Sequence, residues 1–455
     1  MDLLMLPEIA AMAGAKISGQ DTGVSISRFN KDTRTIKPGD IYIGLRGEKF
    51  DGNNFAAEAF ERGAAVALLD SPQIAEKLSS KHPVLLVEDS LQALTRLAEA
   101  WRSRLKVQVL GITGSSGKTS TKEFAAAVLG ARYRVVKTQG NLNNHIGVPL
   151  SILSAESRDE AAVWEVGMNH PGEIAPLAAL IQPTCAIITN IGTAHIEYMK
   201  TRDAIALEKG ALAEAVPSSG AVILPAQDDK SESIAKRCRA KVVRVGMTQG
   251  DVLATHLQPT PEGTNFTVHR GAQKFPASIA VHGTHMVQNA LLALAAGVEM
   301  GVPLEKGIKG LAKARLVGGR LEQKTIAGVT YLDDSYNANP ESMEAALLTL
   351  RQVPGAGRRI AVLGKMGELG EHSAEGYRRT GAAAARLADI LLTVGLDSAA
   401  MSTAARDAGL GRVHEVEDTA AAARILSQLA RPGDWVLVKG SRSARMETIF
   451  EHLQN

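Results

Sequence analysis

Along the chain, short apolar runs alternate with polar, turn-rich stretches, and the spacing within each run predicts its element. Up to about Leu86, the runs Ile41-Tyr42-Ile43 and Ala64 to Leu69 stand between turn segments such as Lys37-Pro38-Gly39-Asp40 and Asp51-Gly52-Asn53-Asn54. That pattern predicts a small α/β module. From Ser90 to Leu105, the positions Leu91, Leu94, Leu97 and Trp101 recur at helical spacing, and Val107-Gln108-Val109-Leu110 follows as a buried strand running into glycines. Apolar runs at Ala161 to Val166 and Cys185 to Ile191, with helical segments between them, give the alternation of a parallel sheet wrapped by helices. After Leu316-Val317-Gly318-Gly319 a second alternation begins, with strands at Val329 to Leu332, Ile360 to Leu363, Ile390 to Val394 and Trp435 to Lys439 and Ala-rich helices between them. It predicts a separate doubly wound domain. The fold class is therefore α/β in three domains: a small α/β domain over 1–86, a central parallel-sheet domain over 87–317, and a C-terminal Rossmann-like domain over 318–455.

Composition narrows the picture. At 45% hydrophobic and 22% charged residues the 455-residue chain is an ordinary globular one. Lys+Arg 51 against Asp+Glu 48 leaves a net charge of +3, without a Lys/Arg run, and 6 Tyr, 8 Phe and 3 Trp offer few platforms for bases. Nucleic acid is not an expected partner. Cys185 and Cys238 stand far apart, with neither a CxxC nor a metal cluster, which suits a reducing compartment. In the opening MDLLMLPEIAAMAGA, Asp2 replaces the basic start of a signal peptide and Pro7 and Glu8 break the apolar run. With no uninterrupted apolar stretch of about 18 residues, membrane insertion is not expected either, and a soluble cytoplasmic protein is. The 43 glycines exceed the roughly 32 expected from average usage, and that surplus calls for an explanation.

The chemistry concentrates at Gly111-Ile112-Thr113-Gly114-Ser115-Ser116-Gly117-Lys118-Thr119-Ser120, between a buried strand and a helix expected to start near Thr121. Such a loop turns backbone N–H groups toward phosphate oxygens, puts Lys118 on the β- and γ-phosphates and offers the Thr119 hydroxyl to Mg²⁺. The strict phosphate-loop pattern wants glycine where this chain has Ile112, so the pattern fails by one residue while its strand, GKT and helix context holds. Gly114, Ser115, Ser116, Gly117, Lys118, Thr119 and Ser120 are the candidate nucleotide ligands, and ATP or GTP the expected nucleotide. Glu165 ends an apolar run, as a metal-binding second-strand acid would. His195 ends Ile187-Ile188-Thr189-Asn190-Ile191-Gly192-Thr193-Ala194-His195, and Lys209 sits on a helical segment; alone, each also reads as solvated or structural. Two polar loops, Gly140 to Gly147 with Asn141, Asn143, Asn144 and His145, and Asp333 to Pro340 with Asp334, Tyr336, Asn337 and Asn339, carry groups able to fix a polar ligand or to form long Asx turns.

The ordered set Thr113 to Thr119, Glu165, His195, Lys209, Asn289, Arg320 and Asp334 resembles the Mur ligase family, ATP-dependent enzymes that extend the bacterial cell-wall precursor peptide. The strings GNLNNHIGVP, WEVGMNHPGEI, DDSYNANPESMEAAL and LVKGSRSARME are similar to those of members that add D-alanyl-D-alanine to UDP-N-acetylmuramoyl-tripeptide. The resemblance implies an acyl-phosphate reaction with two Mg²⁺ ions: Thr119 on one, Glu165 and His195 on the other, and Lys209 as an N6-carbamylated metal ligand. Lys118, His195, Lys209 and Arg320 would be catalytic. Asn289 would meet the adenine, Arg320 the γ-phosphate and Asp334 the ribose. Thr33, Arg34 and Asn54 would hold the UDP end of the precursor. The Asn141, Asn143 and Asn144 loop would contact its reacting end, and Ser441 and Arg442 the incoming dipeptide. Tyr336, Asn337 and Asn339 are further substrate candidates, and a monomer is expected. Lys365, in Leu363-Gly364-Lys365-Met366, departs from the acidic residue usual in the family.

Three alternatives stand beside this. The same chemistry on another acceptor, by the ligase for the third amino acid or by a folylpolyglutamate-like synthetase, is opposed by the NHPGEI and SYNANP strings. A non-catalytic switch binding UDP-sugar and ATP would need no metal role for Lys209 or His195. A motor or nucleic-acid ATPase lacks a basic stripe and an aromatic platform.

Overall fold

The computed structural model describes residues 2–19, 23–26, 28–316 and 318–454; Val317, at the expected boundary of the second and third domains, lies outside the described residues. The chain forms two compact units, one of Met1–Gly111, Tyr133–Gly167 and Ala175–Pro183, the other of Ile112–Arg132, Met168–Ile174 and Thr184–Asn455.

In the first unit a five-stranded sheet runs in the order Lys16–Ser18, Val84–Leu86, Val66–Leu69, Ile41–Ile43, Phe29–Asn30. All its pairings are parallel except that of the edge strand Lys16–Ser18. The runs Ile41–Ile43 and Val66–Leu69 are fully buried, and Tyr42, Ala67, Leu69 and Val84 pack with Ala56, Ala59 and Phe60 of the adjoining helix. The helix Ser90–Arg104 starts where the Asp89 carboxylate accepts hydrogen bonds from the Leu91 and Gln92 amides, each at 2.8 Å. Such a cap satisfies donors that a helix start leaves open. Three of the four positions of its expected stripe, Leu94, Leu97 and Trp101, are buried, and Leu91 is exposed. The parallel strands Val135–Lys137 and Ala161–Glu165 also belong to this unit.

The second unit holds two sheet systems. In the first, Cys185–Ile188, Ala221–Pro225, Lys241–Gly246 and Val252–Thr260 are parallel, as the alternation predicts. Gly263–Arg270 and Gln273–Ile279 then extend it antiparallel, which the sequence reading did not foresee. These strands alternate, with Phe266 and Val268 buried between more exposed neighbours, the signature of a sheet with one wet face. The second sheet runs Glu322–Ile326, Val329–Asp334, Trp435–Lys439, Arg359–Leu363, Ile390–Val394, Val413–Val416. Its core is parallel and doubly wound as expected, with Glu322–Ile326 added as an antiparallel edge. Val362, Leu392 and Val438 are wholly buried there, packed with Leu426, Ile449 and Phe450. Among the described residues no helix is long and apolar enough to cross a membrane.

Leu392 has 0% exposure in that core and Leu396, just beyond it, 91%. Leu392→Ala should therefore cost about 2–5 kcal/mol in urea unfolding followed by circular dichroism, and Leu396→Ala less than about 0.5 kcal/mol.

Candidate active site

The strand Gln108–Thr113 delivers the chain into the loop Gly114 to Gly117, and the helix begins at Lys118, three residues earlier than the sequence predicts. Ile112 is fully buried within the strand, which explains the missing glycine of the strict pattern: the loop proper starts two residues later. There the glycines are obligatory. A Cβ on Gly114, at φ +147°, would lie 1.8 Å from Thr189 Oγ1, and one on Gly117, at φ +79°, 2.8 Å from Asn289 Oδ1. Gly117 is the N-cap of the helix Lys118–Leu129, so the partial positive charge of that helix start faces the loop.

The segment after Cys185–Ile188 stitches the loop in place. Ser115 N donates to Asn190 O at 3.0 Å, Ser116 N to Asn190 Oδ1 at 2.8 Å, and Gly192 N to Ser115 Oγ at 2.9 Å. Thr189 Oγ1 donates to Ser116 O, and Lys118 Nζ reaches Gly114 O at 2.8 Å. Thr189 and Asn190 were not singled out from sequence, although they sit in the string that ends at His195. The expected strand to Ile191 stops at Ile188 because these residues turn onto the loop.

Lys209, on the helix Arg202–Glu214, has 0% exposure, and its Nζ has no hydrogen-bond partner. Burial first, and then the neighbouring positive charge of Lys118, push its amine well below the ordinary lysine range. Its sequence neighbour Glu208 is occupied elsewhere, accepting from Gly172 N at 2.8 Å and Ile174 N at 2.7 Å at the start of the helix Ile174–Ile181. His195, in the left-handed conformation at φ +63°, precedes the short helix Ile196–Met199.

The same unit brings the last sheet system onto this loop. Asn339 caps the helix Pro340–Gln352 in a capping box, and its Nδ2 donates to Ser116 Oγ at 3.0 Å. Thr193 Oγ1 donates to Glu341 Oε2 at 2.8 Å, and Gly192 leaves room for that carboxylate, which lies 3.3 Å from where a Cβ would be. Asn289, beside Gly117, is buried. Arg320 lays its guanidinium 4.0 Å from the centre of the Tyr336 ring, a cation–π contact, while its Nε is buried without a partner. Asp334 faces Lys439 across adjacent strands, with Nζ to Oδ2 at 2.6 Å, and Lys439 Nζ also donates to Asn337 O at 2.8 Å. Burial raises the Asp334 pKa against the pull of Lys439 and Arg320. Ser441 is buried beside Ser443, with 3.0 Å between the hydroxyl oxygens, and Arg442 pairs with Glu447 at 2.7 Å. Lys365 pairs with Asp397 at 2.8 Å on the rim of a cavity of about 620 Å³ that Glu417 and Arg445 also line.

In the first unit, Glu165 is buried at its strand end, accepts from Asn143 Nδ2 at 2.7 Å and anchors its own amide on Thr138 Oγ1 at 3.0 Å. Asn144 is spent on the turn that leads into the helix Gly147–Leu153, accepting from Ile146 N at 3.2 Å and Gly147 N at 2.9 Å, and Asn141 is exposed. Thr33 Oγ1 donates to Glu58 Oε1 at 3.1 Å, and Arg34 pairs with Asp32 at 2.6 Å. Asn53 is buried and tied to Asp70 at 2.8 Å, which leaves the adjacent exposed Asn54 available to a ligand. Phe50 and Phe55 flank it, exposed, with ring centroids 6.5 Å apart edge to face.

A glycine-stitched phosphate loop, a buried lysine beside it and a polar loop of a doubly wound sheet docked on it define an enzyme of the nucleotide-dependent ligase type, and three family descriptions agree. "Mur ligase family, catalytic domain" matches residues 25–102, "Mur ligase middle domain" 112–297 and "Mur ligase, glutamate ligase domain" 319–442. The chain belongs to the Mur ligase family. It is 37% identical to the UDP-N-acetylmuramoyl-tripeptide–D-alanyl-D-alanine ligase of Bacillus subtilis over 93% of this chain and 92% of that protein. To the ligase of the same name from Escherichia coli it is 35% identical, over 99% and 98%. Among solved structures it is similar to MurF from Acinetobacter baumannii, with TM-score 0.89, 32% identity and coverage of 100% and 99%. MurF of Thermotoga maritima in complex with ADP superposes with TM-score 0.82 at 27% identity, covering 94% and 97%.

Gly114→Ala should weaken ADP binding, measured by calorimetry, by about 30-fold or more, because both strain and the Thr189 clash oppose it. Gly411→Ala, where a Cβ meets nothing within 4 Å, should leave binding unchanged.

Proposed function

We propose that the chain is an ATP-dependent ligase joining D-alanyl-D-alanine to UDP-N-acetylmuramoyl-tripeptide, releasing ADP and phosphate in the cytoplasm, and that it acts as a monomer. The observation that carries this reading is Lys209. A fully buried amine without a partner, next to another lysine, is costly as a structural element and is suited to modification into a carbamate. A nucleotide-binding switch has no use for it.

A carboxylate is too poor an electrophile for an amine at neutral pH. The tripeptide carboxylate oxygen therefore attacks the γ-phosphorus and ADP leaves. The dipeptide amine then adds to the acyl phosphate carbon, a tetrahedral intermediate forms, and inorganic phosphate departs as the amine sheds its proton. Both steps crowd negative charge onto a few oxygens, which Lys118, the loop amides and Arg320 are suited to stabilise. Thr119, Glu165, His195 and Lys209 once carbamylated are, by the chemistry of their donor atoms, the residues that would hold Mg²⁺. Burial disfavours the charged ammonium at Lys209, and the uncharged amine is the form that takes up carbon dioxide. Bound Mg²⁺ would neutralise charge on the phosphoryl oxygens.

In this proposal the modules are 1–86 for the UDP end through Thr33, Arg34 and Asn54, 87–317 for ATP, and 318–455 for the dipeptide through Ser441 and Arg442. Asn289 and Asp334 take the adenine and ribose. Asn141 and Asn143 would contact the precursor, Asn144 shapes that loop, and Tyr336, Asn337 and Asn339 are further substrate contacts. Lys118, whose amine already reaches into the loop, and the docked Asn339 support an arrangement in which water is kept from the acyl phosphate.

Phosphate release with the tripeptide precursor should require D-Ala-D-Ala; equal turnover with single amino acids, or none with the dipeptide, rejects the proposal. Lys209→Ala should lower turnover by about 100-fold or more and regain part of it with added acetate or formate. Arg320→Ala should reduce kcat by about 100-fold while leaving precursor affinity within about threefold.

A further inference from the structure

The residues that meet at His195 include one that the reaction scheme above does not use. Glu368 lies on the loop that follows Arg359–Leu363, and its Oε2 comes 2.6 Å from His195 Nδ1. That is ion-pair distance, and the pairing with His195 holds the Glu368 carboxyl below the ordinary carboxylate range. Both residues hold the left-handed backbone conformation, His195 at φ +63° and Glu368 at φ +57°, which costs a non-glycine residue and persists where surroundings impose it. The surroundings are visible. His195 O accepts from Tyr198 N and Met199 N, each at 3.1 Å, which fixes its main chain to the short helix Ile196–Met199. On the other side Glu197 N donates to Glu368 O at 3.4 Å, and Gly370, at φ +50°, passes so close that a Cβ there would lie 3.0 Å from Glu197 Cγ. Two strained residues from different sheet systems are thus brought face to face by backbone contacts on both sides.

We propose that Glu368 is a positioning residue for His195: it holds Nδ1, fixes the tautomer and leaves Nε2 as the metal-binding nitrogen, so that docking of the 364–372 loop and formation of the Mg²⁺–nucleotide site are one event. A carboxylate on the far nitrogen of a metal-ligating imidazole orients the ring and raises its basicity. The inference rests on the metal role given to His195 in the proposed function. It adds that the last sheet system governs Mg²⁺ affinity through a side chain that need touch neither nucleotide nor substrate.

The test is calorimetry of ADP binding across a Mg²⁺ titration, with no precursor present, for wild type, Glu368→Ala, Glu368→Gln, His195→Ala and the double variant His195→Ala/Glu368→Ala. Glu368→Ala should raise the Mg²⁺ concentration at half-effect by about 10- to 100-fold and leave ADP binding in EDTA unchanged. Glu368→Gln, whose amide oxygen still accepts from Nδ1, should recover to within about threefold. In the His195→Ala background Glu368→Ala should add nothing. An unchanged Mg²⁺ midpoint in Glu368→Ala, a Gln variant as impaired as Ala, or additive effects in the double variant would overturn the proposal. All three substitutions at 368 and 195 meet the same backbone conformation, so a general loss of folding would show equally in EDTA. Because no precursor is used, failure of the ligase reading would appear separately, as absent phosphate release by the wild type.

Discussion

The site depends on one electrostatic constraint: two lysines, one on the phosphate loop and one wholly buried, close enough that each disfavours the other's charge. Lys118 reaches the Gly114 carbonyl, whereas Lys209 has no hydrogen-bond partner, and burial and then the charge of Lys118 push its amine well below the ordinary lysine range. A buried ammonium left in that state would cost several kcal/mol. Lowering the amine's pKa reduces that cost and favours the uncharged, nucleophilic form. The neighbouring architecture respects this: Glu208, the residue that could have paired with a lysine, is committed to a helix start instead.

The loop geometry follows from a second constraint, that backbone approaches backbone. Thr189 and Asn190 bind the loop from one side and Asn289 presses on Gly117 from another, with no space for a side chain at Gly114 or Gly117. Part of the glycine surplus is spent on this closeness, and Gly192 spends another on admitting Glu341. The polar loop after Asp334 then meets the phosphate loop through Asn339, so that one helix cap serves both its own helix and the neighbouring loop.

Much of this was legible in sequence, for identifiable reasons. The buried parallel strands are continuous apolar runs, and three of those predicted in the last sheet agree with the structure almost to the residue. The phosphate loop could be read because its chemistry is local. The antiparallel strands after Val252 were missed because half-buried alternation in a Thr- and Gln-rich stretch is a weak signal. Among neighbouring asparagines, sequence could not separate the structural Asn53 from the exposed Asn54, or the turn-forming Asn144 from Asn143 on Glu165, since that division is made by hydrogen-bond partners that only the fold supplies. Asn190, Glu341 and Glu368 escaped notice for the same reason: each acts on a residue remote in sequence and has an ordinary local context. Lys209 stood out only by resemblance, and burial supplied its physical meaning.

The central claim is that the carboxylate of the precursor is activated by phosphoryl transfer. The most direct measurement is isotopic: UDP-N-acetylmuramoyl-tripeptide labelled with ¹⁸O in its terminal carboxylate, turned over with ATP and D-Ala-D-Ala, with the released phosphate analysed by mass spectrometry. The account predicts one labelled oxygen from the carboxylate in each phosphate formed. Phosphate carrying only solvent oxygen in the new position would contradict it.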